Sequence, residues 1–264
     1  MKNIYFLGGG NMATAIVSGL SQSNLFQITI CERFDARRDF LQQNFPNANI
    51  TDSLPELNSD DILVLAVKPQ DMQTALQSVV LNGALVLSIA AGLSCHTLSQ
   101  WLDGTMRIIR IMPNTPAQVG LGMAGLFADI AATNEDKQLA QEIMNSVGKI
   151  IWVEKEDDLH TVTAISGSGP VYVFYCMNAL YQAALSQGMN QETAYLSVLQ
   201  TFVGASQLAL QSDDSFNELC RKVTSKGGTT AAALNIFEQA NLNQIMLQAI
   251  EACAKRSIEM SQSI

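Results

Sequence analysis

The segment Gly8-Gly9-Gly10-Asn11-Met12-Ala13 stands directly between a short apolar run at 3–7 and a stretch of helical spacing at 12–21. Few turns restrict a chain so much. Gly8 permits the tight turn, Gly10 lets backbone approach a bound pyrophosphate, and Ala13 keeps the helix close to the strand it follows. Glycines also gather in loops for turn geometry alone. Here a strand before, a helix after and a second strand at 28–31, one βαβ unit later, favour a dinucleotide turn over a plain one.

The same alternation continues along the chain. A second helix is predicted at 37–44, and Ile62-Leu63-Val64-Leu65-Ala66 is an apolar run without alternation, as in a parallel strand covered on both faces. Pro69 then opens a helix at a position where its missing N–H costs nothing. Further strands are predicted at 85–89, 106–111, 123–128 and 150–153. Strands alternating with helices imply a doubly wound, mostly parallel α/β sheet, a Rossmann domain over 1–157. After the acidic stretch Glu154-Lys155-Glu156-Asp157-Asp158 the pattern is helical only, with helices predicted at 171–187, 192–211, 214–222, 229–239 and 242–261. Pro170, Gly188-Met189-Asn190 and Lys226-Gly227-Gly228 punctuate them. The second domain, 158–264, is therefore expected to be all-α.

Composition narrows the function. Of 264 residues 48% are hydrophobic and 15% charged, which suggests apolar surface hidden by another subunit. A net charge of −9 speaks against nucleic-acid binding, and no apolar stretch approaches a membrane span. The five cysteines (Cys31, Cys95, Cys176, Cys220, Cys253) are scattered and form no CxxC pair, so neither a disulfide framework nor a metal site is expected. The apolar run at the start is too short for a secretory signal, and the expected location is the cytoplasm.

The end of the second strand bears on the choice between NADH and NADPH. Glu32 would hydrogen-bond a ribose 2′-OH, whereas Arg33 would pair with a 2′-phosphate. The two pull in opposite directions; the reading favours NADPH through Arg33, with NADH the alternative. Arg37 and Arg38 read as the solvated face of a helix. Ligands in open α/β sheets bind beyond the carboxyl ends of strands, so Ala66-Val67-Lys68-Pro69 and Ala90-Ala91 are expected to contact the cofactor as well.

The segment Val223-Thr224-Ser225-Lys226-Gly227-Gly228-Thr229-Thr230 precedes an apolar helix and carries more hydroxyls and glycines than a cap requires. Such a helix start suits a substrate carboxylate. With this segment, the chain resembles the pyrroline-5-carboxylate reductases over nearly its whole length. The likeness is carried by Phe6-Leu7-Gly8-Gly9-Gly10-Asn11-Met12-Ala13, Ala66-Val67-Lys68-Pro69-Gln70, Ile89-Ala90-Ala91-Gly92, Arg110-Ile111-Met112-Pro113-Asn114-Thr115-Pro116, Ser166-Gly167-Ser168-Gly169-Pro170 and the segment 224–230. Gly9 stands where the family commonly has alanine, and Lys226 where it often has proline.

The resemblance implies NAD(P)H-dependent reduction of (S)-1-pyrroline-5-carboxylate to L-proline by a homodimer or higher homo-oligomer. It places Asn11 and Met12 near the cofactor phosphates and nicotinamide ribose. Gly228 and the N–H groups of Thr229 and Thr230 would hold the substrate carboxylate, helped by Ser225, and the Thr230 hydroxyl would face the ring nitrogen as the catalytic group. His96 and His160 read as cap or surface residues, and Asn114-Thr115-Pro116 as either a cleft wall or a rigid loop. Two rivals remain from the residues: a hydroxyacid dehydrogenase using Lys222 or Lys226, and a dinucleotide-binding redox sensor.

Overall fold

The computed structural model describes residues 1–23 and 25–262. Two compact units emerge, one of Met1–Ser168 together with Cys253–Ile264, the other of Gly169–Ala252.

The first unit is built on strands β1 (Lys2–Leu7), β2 (Phe26–Cys31), β3 (Asn49–Thr51), β4 (Ile62–Leu65), β5 (Leu85–Ser88), β6 (Ile108–Met112), β7 (Gly122–Ala128) and β8 (Gly148–Trp152). They form one sheet in the order β3-β2-β1-β4-β5-β6-β7-β8. All neighbours run parallel except β6 and β7. The doubly wound, mostly parallel sheet anticipated from the alternating pattern is thus present. Helices α1 (Asn11–Leu20), α2 (Asp35–Asn44), α3 (Pro69–Leu76), α4 (Cys95–Trp101) and α5 (Asn134–Asn145) flank it. On one face Ile4, Phe6 and Ile30 pack against Ile16 of α1, Leu41 of α2 and Ile143 of α5. On the other, Leu63, Leu65 and Val86 meet Met72 and Leu76 of α3 and Leu98 of α4. Every residue of β4 is buried, which explains why its sequence is apolar without alternation.

The antiparallel step has a local cause. After β6 the chain makes a 3₁₀ turn, Thr115–Val119, that ends at Gly120 in the left-handed region (φ 73°) and sends β7 back along its neighbour. The Asn114 side chain fixes this loop, donating to the Ser166 carbonyl at 3.0 Å and accepting the Met123 N–H at 2.8 Å. At the opposite end of the sheet Arg107 clamps three elements. It donates to the two carboxylate oxygens of Asp136 at 2.7 and 3.1 Å and to the Ser59 and Gly83 carbonyls at 2.6 and 2.7 Å. Asp136 also closes the capping box that starts α5 at Thr133.

Beyond β8 the chain enters α6 (Asp158–Val162) and one π-helical turn, Thr163–Gly167. The second unit holds α7 (Gly169–Ser186), α8 (Gln191–Leu210), α9 (Phe216–Lys222), α10 (Thr229–Gln239) and the first half of α11 (Leu242–Gln262). Asn190 caps α8, and Ser215 with Glu218 forms a capping box on α9. From Cys253 onward α11 packs with the first unit. Ser257 Oγ lies 2.8 Å from His160 Nδ1, the Cys253 thiol donates to Ser168 Oγ at 3.3 Å, and the Met260 backbone sits over Gly92.

Candidate active site

A cavity of about 530 Å³ opens where β1 runs between β2 and β4, beyond their carboxyl ends. This is the point at which the winding of the sheet reverses, the usual seat of a ligand in such folds. Gly8, Gly9, Gly10, Arg33, Ala66, Val67 and Lys68, all singled out from the sequence, line it together. The glycines answer to different needs. Gly8 has φ +101°, and a β-carbon there would stand 2.9 Å from the Ala66 carbonyl oxygen. At Gly9 a β-carbon would come within 2.5 Å of Leu41 Cδ1. Above Gly10 there is open space. Gly10 is also the N-cap of α1, and no side chain caps that helix, so its first N–H groups remain available to an anion. An open backbone cradle with a free helix start fits a dinucleotide pyrophosphate.

At the end of β2 the charges are sharply divided. One Glu32 oxygen accepts the Gly9 N–H and the other the Phe34 N–H, each at 3.0 Å. Arg37 donates its Nε to the Gly9 carbonyl at 2.8 Å, and Arg38 bonds the Glu32 carbonyl and Asp35. These contacts brace the glycine turn, so Arg37 and Arg38 are half-buried structural donors and not the solvated face expected from the sequence. Arg33 instead lies over the Phe34 ring, 4.6 Å from its centroid, with Nη2 3.6 Å from Asp71 Oδ2.

The other expected residues, Asn11, Met12, Pro69, Ala90 and Ala91, sit around this cavity rather than in its lining. Asn11 and Met12 form the first turn of α1, and Asn11 borders a neighbouring groove with Thr14 and Gln118. Lys68 is the N-cap of α3, and Pro69 its first residue. Ala90 is buried and Ala91 half-buried just after β5. Asp52, Ser53, Thr74 and Ser78, which line the cavity too, were not anticipated. Their signal was faint because β3, which delivers Asp52, has three residues and one large apolar side chain.

A partly buried ion pair also escaped the sequence reading. Arg110 Nη1 and the Cys95 N–H both donate to Glu156 Oε1, at 2.8 and 2.6 Å. Burial and then Glu156 push the Cys95 thiol far up, leaving it protonated and inert. Burial and Arg110 lower His160 below its ordinary 6.5, which fits a packed histidine bonded to Ser257. His96 is exposed in the first turn of α4.

In the second unit Ser225, Gly228, Thr229 and Thr230 meet at the start of α10. Gly228 is its N-cap, again without a side-chain cap, and donates its N–H to the Ser225 carbonyl at 3.0 Å. A side chain at 228 would collide with the Ser225 hydroxyl. Gly227, at φ +72°, turns the chain into this approach. Ser225, Thr229 and Thr230 are exposed. Lys222, one of the two lysines a hydroxyacid dehydrogenase could use, is ion-paired with Asp214. Among the described residues no group of three or more His, Cys, Asp or Glu is placed to hold a metal ion, and no helix is long and apolar enough to cross a membrane.

A glycine turn at the switch point of a doubly wound sheet, followed by a helical unit with an uncapped, hydroxyl-bearing helix start, defines a nicotinamide-dinucleotide oxidoreductase. The family described as "Pyrroline-5-carboxylate reductase dimerisation" matches residues 156–260, and that described as "NADP oxidoreductase coenzyme F420-dependent" matches 3–92. The pyrroline-5-carboxylate reductase of Pasteurella multocida is 43% identical over 99% of this chain and 98% of its own length, and that of Vibrio alginolyticus 41% over the same shares. A solved pyrroline-5-carboxylate reductase from Coxiella burnetii superposes with a TM-score of 0.88 at 37% identity, covering 98% of each chain. The Plasmodium falciparum pyrroline carboxylate reductase, solved with NADP bound, superposes at 0.82 with 28% identity and the same coverage. The chain belongs to the pyrroline-5-carboxylate reductase family.

Proposed function

We propose that this chain reduces (S)-1-pyrroline-5-carboxylate to L-proline, the last step of proline biosynthesis, with NADPH as preferred reductant and NADH as the alternative. The observation that carries the substrate reading is the start of α10, where an uncapped helix end, a glycine pressed on Ser225 and two threonines stand together. The N–H groups of Thr229 and Thr230 bind the carboxylate, with the Ser225 hydroxyl beside them. The Thr230 hydroxyl donates to the ring nitrogen, which makes the imine carbon a better acceptor. The bound dinucleotide supplies the hydride. Gly8, Gly9, Gly10, Asn11 and Met12 hold its phosphates and ribose. Ala66, Val67, Lys68, Pro69, Ala90 and Ala91 frame the nicotinamide half, so the protein's contribution is chiefly alignment. Support for NADPH comes from Arg33, whose guanidinium lines the cavity, and from the NADP in the Plasmodium relative.

In this reading residues 1–157 bind the dinucleotide, and 158–264 bind substrate and pair with a second copy in the cytoplasm. Helix α7 supports the pairing: its 18 residues include no Asp, Glu, Lys or Arg, and none is buried within the chain. Val171, Phe174 and Tyr175 are 64, 62 and 77% exposed, an apolar face that calls for a partner. The test is the fall in NADPH and NADH absorbance after adding racemic pyrroline-5-carboxylate in parallel cuvettes. Decay that depends on substrate is the expected result; bound nucleotide without decay would overturn the reading in favour of a sensor.

A further inference from the structure

Two acids besides Glu32 line the dinucleotide cavity, Asp52 and Asp71, and of these Asp71 is ion-paired with Arg33. Asp71 is the third residue of α3 and lines the same cavity as Arg33. Of the charged groups that follow β2, Glu32 is held by two backbone N–H groups, and Arg37 and Arg38 by backbone carbonyls. Arg33 is different. Its side chain is 63% exposed and, among the described residues, is restrained by the face of Phe34 and by a loose ion pair with Asp71, itself 40% exposed.

We propose that Asp71 is a positioning residue that sets cofactor discrimination by acting on Arg33. This role rests on the dinucleotide reading of the cavity and works by competition. A 2′-phosphate must take the guanidinium from Asp71 and must also approach a carboxylate of like charge. The 2′-hydroxyl of NADH needs no cation at that point and meets neither cost. Asp71 thus draws the enzyme toward NADH, while Arg33 draws it toward NADPH. The chain carries both tendencies at once in Glu32 and Arg33, and Asp71 sets the balance between them. An acid in the first turn of α3 also steadies that helix. Loss of that support would weaken both cofactors together, so the ratio between them isolates the proposed role.

The experiment measures kcat/KM for NADPH and for NADH in the wild-type enzyme, Asp71→Asn, Arg33→Gln and the double variant. Asp71→Asn should raise the NADPH-to-NADH ratio about two- to fivefold, the range for a partly exposed charge pair. Arg33→Gln should lower the ratio, and in that background Asp71→Asn should have a smaller effect. An unchanged or lowered ratio in Asp71→Asn, with Arg33→Gln still lowering it, would overturn the proposal alone. A ratio indifferent to Arg33→Gln would remove the assigned phosphate contact and the proposal with it. Absence of nucleotide binding in the wild type would refute the cavity reading itself. Asp71→Ser serves as the second variant if the asparagine protein does not fold.

Discussion

Gly9 and Gly10 are neighbours with the same side chain, and the structure asks opposite things of them. A side chain at 9 strikes Leu41, whereas at 10 it meets nothing in the protein. Gly10→Val is therefore expected to fold with little loss of stability, because Gly10 has φ −71° and is open to any residue. It should nevertheless abolish dinucleotide binding by filling the space the pyrophosphate needs, which nucleotide fluorescence titration would show; normal binding would refute the cradle. Thr230→Ala is the matching test at the other end of the chain. Turnover should fall about a hundredfold, as when one donor to a developing charge is removed, with NADPH binding intact. Steady-state kinetics beside a binding titration separates the two. The glycines and the hydroxyl-rich segment 224–230 were legible because their spacing serves backbone geometry, which a sequence states directly. Asp71 and Glu156 were not, because an acid in a helix turn or an acidic loop looks the same whether or not an arginine from elsewhere reaches it.

At the scale of elements, long or unbroken apolar stretches were legible and short ones were not. The uninterrupted apolar run at β4 and the long helices α7, α8 and α11, bounded by glycine and proline breaks, stand out in the sequence, whereas β3 is three residues at the sheet's edge paired with β2. Helix α5 was not anticipated: its Thr133–Asp136 capping box opens a stretch rich in polar residues, in which Ala140, Ile143 and Met144 supply a narrow buried stripe. Its anchorage to Arg107 is visible only in three dimensions. Burial works to raise the Asp136 carboxyl, but hydrogen bonds from Arg107 and Thr133 outweigh it and hold it below its ordinary 3.8. A depressed carboxylate contributes stability that is complete above its unfolded value and is lost as pH falls through the folded one. Asp136→Asn should cost about 3 kcal/mol near neutrality, where it leaves Arg107 without its counter-charge. It should also flatten the loss of stability below pH 4, both read from urea midpoints across pH. An unaltered midpoint at pH 7 would show that Arg107 finds water or its carbonyl partners sufficient.

For the molecule as a whole, light scattering at micromolar concentration should report at least two chains per particle, since α7 leaves an uncharged face uncovered. A clean monomer would contradict the proposed pairing. The organisation into sheet and helices was legible from composition and pattern. The return of α11 was not, because nothing in the spacing of 242–261 distinguishes residues that stay with their helical neighbours from those that leave them. That return has a bearing on how the protein is made. The first unit contains the beginning of the chain and its last turns, with Ser257 on His160 and Met260 over Gly92. Folding during synthesis proceeds from the first residues outward. A nascent chain can assemble the sheet early, but the loop after β5 keeps a bare flank until the second half of α11 has been made. Completion of the nucleotide-binding half thereby waits on the synthesis of the whole intervening helical unit, so a chain stalled within that unit would carry an unfinished cofactor half.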